Sequence, residues 1–290
     1  MLPNGKTRLM GLIGQSISYT LSPTIHNTAL KCFDINAIYL PLPMSKKNLS
    51  CFLKTAWDMG AMGLNVTKPH KESVAALFPG CGLTSVNTLY RGSHWWIPAS
   101  TDGEGFIRGF ERLGRSIQTI KNLIILGGGG ASQAIVRHIV EMHKKNPTTI
   151  CQQITVLCRR PQIAHDWVSM LDFPINIERL NPEKLKEILS AETSHHVIVQ
   201  ATSAPHQGDM MEEYINVLDG YRGVFVDLIY DKPTKIYYAA LSRDILAQDG
   251  ESMLIEQARL SQELWWGKSL PYDMIREALR NEKSNRTSQE

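Results

Sequence analysis

The sequence predicts an α/β protein of two domains, and three observations carry that prediction. Short apolar runs alternate with longer amphipathic ones along the chain, as strands and helices taken in turn require. The chain has 290 residues, about twice the ~150 of an ordinary domain. The strand–helix pattern also restarts after Gly114, where a compact apolar run, Asn122–Leu126, leads through four glycines into a helix, Ala131–His143.

In the first block the expected strands are Leu9–Gly14, Ala37–Pro41, Gly63–Thr67 and Ser85–Arg91, with helices at Pro23–Cys32, Lys47–Trp57 and Pro69–Leu77. Pro23 and Pro69 stand where a helix tolerates proline, in a first turn whose N–H has no intrahelical partner. In the second block strands are expected at Ile154–Cys158, His196–Gln200 and Gly223–Leu228, with helices between. Two helices close the chain, Met253–Trp265 and Tyr272–Arg280. The last segment, EKSNRTSQE, has no apolar anchor and is expected to fray.

Composition excludes several classes. Hydrophobic residues are 43% and charged residues 20%, as in ordinary globular proteins rather than disordered or fibrous ones. Lys and Arg number 31 against 28 Asp and Glu, a net +3, too balanced for a general nucleic-acid binder. Five cysteines without a C-x-x-C pair point to a reduced, cytoplasmic compartment. No secretory signal is visible and no run approaches ~18 apolar residues, so no membrane partner is expected. The nine histidines show no metal-ligand spacing, and no metal is expected. His70, His195-His196, Trp95-Trp96 and Trp265-Trp266 read as structural.

The segment NLIILGGGGASQAIVRHIV has the strand–turn–helix context of a dinucleotide fingerprint. Gly127 allows the tight turn, Gly128 continues it, and Gly129 lets the backbone approach a pyrophosphate. Gly130 and Ala131 are small enough to bring the helix against the strand, with its N-terminal N–H groups facing phosphate. Ser132 departs slightly from the strict pattern. The following strand ends in Arg159-Arg160-Pro161 rather than in an acid. Two guanidiniums suit a 2′-phosphate, so NADP(H) is expected, with NAD the alternative.

Three polar clusters follow first-block strands, where open α/β sheets place ligands: Tyr19-Thr20-Leu21-Ser22-Pro23, Asn65-Val66-Thr67-Lys68-Pro69-His70-Lys71, and Ser85-Val86-Asn87-Thr88 with Ser100-Thr101-Asp102-Gly103. Taken singly, Thr20, Ser22, Thr67 and Asp102 also fit helix caps or turns. Taken in order, TLSPTIHN, NVTKPHK, SVNT, STDG, GGGGA, VDLIYDKPT and MLIEQARLSQELWWG resemble the shikimate dehydrogenase family, from about Gly11 to Pro271.

The resemblance implies an α/β substrate-binding domain (1–103 plus 253–290) and a Rossmann-type NAD(P)-binding domain (104–252), joined into a cleft. It implies reversible NADPH-dependent reduction of 3-dehydroshikimate to shikimate, a step toward chorismate and the aromatic amino acids. By matching positions, Thr20 and Ser22 would bind the substrate carboxylate. Thr67, Asn87 and Gln257 would bind ring hydroxyls, Tyr230 would line the site, and Lys71 and Asp102 would flank the reacting carbonyl. The chemistry is consistent: hydride transfer to a ketone develops negative charge on oxygen, which a lysine ammonium can protonate. A polyol carboxylate also needs many short donors and acceptors.

Departures from the family pattern are Thr20 for serine, Ser100 for asparagine, Lys68 at an aliphatic position and Gln200 for asparagine. They bear on substrate identity, with a quinate/shikimate dehydrogenase as one alternative; a non-catalytic shikimate-binding regulator is another, against which the retained Lys71 and Asp102 argue. The small-molecule substrate is the expected partner, and a homodimer stays open.

Overall fold

The computed structural model describes residues 2–147, 151–190, 193–204 and 211–287. Two units divide the chain: Met1–Gly105 with Ile255–Glu290, and Phe106–Leu254. The first unit begins β1 (Arg8–Gly14), α1 (Ser22–Cys32), β2 (Ala37–Pro43), α2 (Leu49–Asp58), β3 (Gly63–Val66), α3 (Lys71–Ala75), β4 (Thr88–Arg91) and β5 (Trp96–Ala99), and the chain passes to the second unit within α4 (Asp102–Glu111). Its strands form one sheet in the order β2-β1-β3-β4-β5. The pairs β1–β2 and β1–β3 are parallel, whereas β3–β4 and β4–β5 are antiparallel.

Alternation along each strand decides which face a side chain serves. On β1, Met10 and Leu12 cluster with Leu30 and Tyr39, while Ile13 joins Leu53, Leu64, Val66 and Trp96 in a separate cluster. On β3, Leu64 and Val66 share that second cluster, which leaves Gly63 and Asn65 on the other face.

Two expectations change here. The helix expected from Pro69 begins at Lys71, because Pro69 belongs to a turn closed by His70 N–H on the Thr67 carbonyl at 2.9 Å. The strand expected from Ser85 begins at Thr88. Before it, Val86 N–H donates to the Lys71 carbonyl and Asn87 N–H to that of Ala99, outside regular pairing.

The second unit contains β6 (Asn122–Leu126), α5 (Gly130–Lys145), β7 (Gln153–Cys158), α6 (Pro161–Val168), β8 (Ile175–Arg179), α7 (Pro182–Ile188), β9 (His196–Gln200), α8 (Glu212–Ile215), β10 (Val224–Asp227), α9 (Lys235–Leu241) and β11 (Leu246–Gln248). All pairs in its sheet are parallel, in the order β11-β10-β9-β6-β7-β8. That is the doubly wound dinucleotide-binding order, whose switch point lies where β6 meets β9. Both faces of the sheet are covered, as parallel sheets require: Leu123 and Ile125 enter one cluster, Ile124 and Leu126 the other. The edge strands β8 and β11 escape sequence reading because they are short and only partly buried.

The chain returns to the first unit within α10 (Glu251–Trp266) and ends in α11 (Tyr272–Thr287). On α10, Gln257, Ser261 and Trp265 recur every four residues and so share one face. Trp265 Nε1–H donates to the Leu89 carbonyl at 3.0 Å. A Cβ at Gly63 would lie 2.2 Å from that nitrogen, so β3 admits the indole only where it carries glycine. The segment expected to fray is helical through Thr287; residues 288–290 lie outside the described residues. Its anchors are polar rather than apolar, with Arg286 ion-paired to Glu282 at 2.8 Å.

Candidate active site

Lys71 opens α3 and Asp102 opens α4. Lys71 Nζ donates to Asp102 Oδ2 at 2.5 Å, with only 17% and 6% of the two side chains exposed. The carboxylate stands in the first turn of a helix, where the positive end of the backbone dipole favours it. Its other oxygen accepts from Asn87 Nδ2 at 2.9 Å.

The Asn87 amide is fixed at both ends. Its oxygen accepts from Thr101 N–H at 2.8 Å and the Thr88 hydroxyl at 3.0 Å. The nitrogen must therefore face the acceptors, which are Asp102, Thr101 Oγ1 at 2.9 Å and Gln257 Oε1 at 3.2 Å. A second layer lies behind it. Asn65 Nδ2 reaches the Asn87 carbonyl, Thr88 Oγ1 and Ser261 Oγ, each at 3.1 Å, and Asn65 Oδ1 accepts from the Tyr39 hydroxyl at 2.8 Å. Ser261 donates to the Gln257 carbonyl at 3.0 Å. Satisfied buried networks of this kind hold one geometry, because losing a partner strands a desolvated group.

Thus the fold joins Lys71, Asn87, Asp102 and Gln257 in one constellation. Thr20 and Ser22 form a separate buried pair, Oγ to Oγ 3.2 Å, with Ser22 N–H also donating to Thr20 Oγ1 at 3.2 Å. Neither caps α1, whose N-cap residue is Leu21. Thr67 is half-buried just past β3, and its hydroxyl is outside the Asn87 network among the described residues. It does not cap α3 either; that position belongs to His70, whose Nε2 lies 2.8 Å from the Met44 carbonyl. Lys68 is exposed, unlike Lys71. Tyr230 stands in the second unit, half-buried beyond β10.

In the second unit the glycine turn leaves β6 at the switch point. Gly127 has φ +115°, a left-handed value that favours glycine. A Cβ at Gly128 would come 3.2 Å from that of Cys158, whereas one at Gly129 would occupy open space at the N-cap of the 16-residue α5. Open space beside uncapped helix N–H groups fits a pyrophosphate. Gly130 and Ala131 form the first turn of α5. Arg159 and Arg160 follow the neighbouring strand β7 at the same sheet end. Both are exposed, and neither forms an ion pair among the described residues. Gln200 is fully buried and turns back on its own loop, accepting from Thr202 N–H at 2.6 Å. Asp227, ending β10, accepts from Ile229 N–H at 3.0 Å and the Thr234 hydroxyl at 2.5 Å. Burial pushes its carboxyl up to about 6, against those two hydrogen bonds.

Among the described residues no cluster of His, Cys, Asp or Glu could hold a metal, and no helix is long and apolar enough to cross a membrane. Sequence reading assigned no role to Asn65, Thr88, Thr101 or Ser261. The available signal was spacing: Ser261 lies one helical turn beyond Gln257.

A family model described as the shikimate dehydrogenase substrate binding domain matches residues 12–80. The shikimate dehydrogenase (NADP(+)) of Microcystis aeruginosa is 30% identical over 290 residues, covering 95% of this chain and 97% of that protein. The Synechocystis protein of the same name is 29% identical, with 95% and 96% covered. Among solved structures, shikimate dehydrogenase from Aquifex aeolicus superposes with a TM-score of 0.82 at 25% identity, covering 96% of this chain and all of that one.

Proposed function

This chain belongs to the shikimate dehydrogenase family, and from that premise we propose that it is an NADP-dependent oxidoreductase interconverting 3-dehydroshikimate and shikimate. The observation that carries the reading is the Lys71–Asp102 pair, held by an Asn87 amide that cannot turn over. Bound NADPH supplies the hydride. Lys71 gives a proton to the ketone oxygen as negative charge develops there, and takes it back when shikimate is oxidised. Asp102 orients the ammonium and balances its charge. Asn87 and Gln257 hold ring hydroxyls from one side, and Thr67 adds a further hydroxyl contact.

Thr20 and Ser22 bind the carboxylate, aided by the N-terminus of α1. Tyr230 belongs to the second unit. That unit binds the dinucleotide: Gly127, Gly128, Gly129, Gly130 and Ala131 approach the pyrophosphate, and Arg159 and Arg160 take the 2′-phosphate.

Steady-state assay of the purified chain with shikimate and quinate, each with NADP and NAD, tests the proposal. Turnover should be highest with shikimate and NADP. A folded protein that turns over neither acid with either cofactor overturns it, and a preference for quinate or NAD corrects the substrate or cofactor.

A further inference from the structure

The last turn of α11 reaches the segment that carries Thr20. Arg286 Nη1 donates to the Tyr19 carbonyl at 3.1 Å and Nη2 to the Thr20 carbonyl at 3.2 Å. Its Nε donates to Glu282 Oε1 at 2.8 Å, one turn earlier on the same helix. A guanidinium is a rigid planar fork, so three bonds from three nitrogens fix its position and plane. It in turn fixes two successive carbonyls. Because a trans peptide is planar, the direction of the Thr20 carbonyl also sets that of the Leu21 N–H and the path of the chain into α1. The Thr20 hydroxyl is then held against Ser22, with both residues buried.

We propose that Arg286 is a positioning residue that presets the Thr20–Ser22 hydroxyl pair and thereby determines recognition of the substrate's carboxylate. The inference rests on the reading of that pair as the carboxylate site. Arg286 does not touch the reacting atoms; it acts through the turn. Its effect should appear in substrate affinity and not in the chemical step, since the Lys71–Asp102 pair is held by a separate set of bonds. Part of the effect is simple charge, which lysine retains. The larger part is the fork, which lysine lacks.

The test compares shikimate with its neutral carboxamide in wild type, Arg286→Gln and Arg286→Lys. For Arg286→Gln the KM for shikimate should rise about ten-fold, the scale of one charge-assisted hydrogen bond. Turnover number and the KM for NADP should stay within about two-fold of wild type, and the KM for the carboxamide, which has one acceptor oxygen and no charge, should rise clearly less than that for shikimate. Arg286→Lys should recover only part of the loss, and it carries the comparison if the glutamine variant does not fold. An unchanged KM for shikimate, or an equal rise for both compounds, overturns the inference while leaving the proposed activity intact. If wild type does not distinguish shikimate from its carboxamide, the carboxylate reading fails and the inference with it. If wild type turns over neither, the proposed function fails.

Discussion

Lys71 and Asp102 lie 31 positions apart, yet their side chains meet because α3 and α4 each begin where a strand of the same sheet has just ended. On the proposed function that lysine passes a proton to and from a ketone or hydroxyl oxygen. Replacing it with alanine or methionine should lower turnover by ~10²–10⁴-fold, the usual contribution of a positioned acid or base. Binding of NADP, followed by quenching of intrinsic fluorescence, should hardly change. Retained turnover would mean that another group moves the proton. Around this pair, residues of quite different legibility work together. Asn87 and Asp102 stand in recognisable clusters. Asn65 and Ser261 are readable only as a polar strand residue and a helix serine until they are seen 3.1 Å apart.

Among the elements, β6 and α5 were the most legible, because an apolar run, four glycines and an amphipathic helix each state their conformation locally. On the proposed function the two arginines just past the C-terminal end of the neighbouring β7 take the 2′-phosphate. Arg159→Ala should raise the KM for NADP several-fold while leaving that for NAD almost unchanged, since only NADP carries the 2′-phosphate. Parallel initial-rate measurements with both cofactors check this, and equal effects would remove Arg159 from the phosphate site. The less legible elements are short and lie at edges. β11 has three residues and β8 is half-exposed, so neither shows the strong alternation that marks a buried strand. The end of α11 departs from expectation for a different reason: its hold on the rest of the unit is a guanidinium on two carbonyls, not an apolar stripe.

For the molecule as a whole, pH should act on the two units in opposite directions. His26, in the first unit, is fully buried between Tyr39 and Trp265, and burial lowers its ring from 6.5 to about 3. The unfolded chain therefore binds the proton more readily, and stability falls as pH drops below about 6.5. At pH 5 the loss is about 2 kcal/mol, at ~1.4 kcal/mol per pH unit. Asp227, in the second unit, has the opposite sign. Its carboxyl is raised from 3.8 to about 6, so the folded form binds the proton more readily. Lowering pH from 7 to 5 then stabilises that unit by about 1 kcal/mol. Hydrogen exchange corrected for intrinsic pH effects, read on peptides from each unit, should show protection falling around α1 and β2 and rising around β10 and α9. Asp227→Asn should abolish the rise without affecting the fall.

Strand and helix periodicity, the glycine turn and the order of polar clusters are properties of neighbouring residues, so the sequence by itself determined the α/β class, the strand–glycine–helix segment and the polar residues among which the site is proposed. Which of those residues meet was decided only by the tertiary structure. Asn65 finds Ser261 across 196 positions, and Arg286 finds Tyr19 across 267. Such contacts depend on sheet register and on where the returning helices lie, and these are set by the packing of the whole first unit rather than by any local preference.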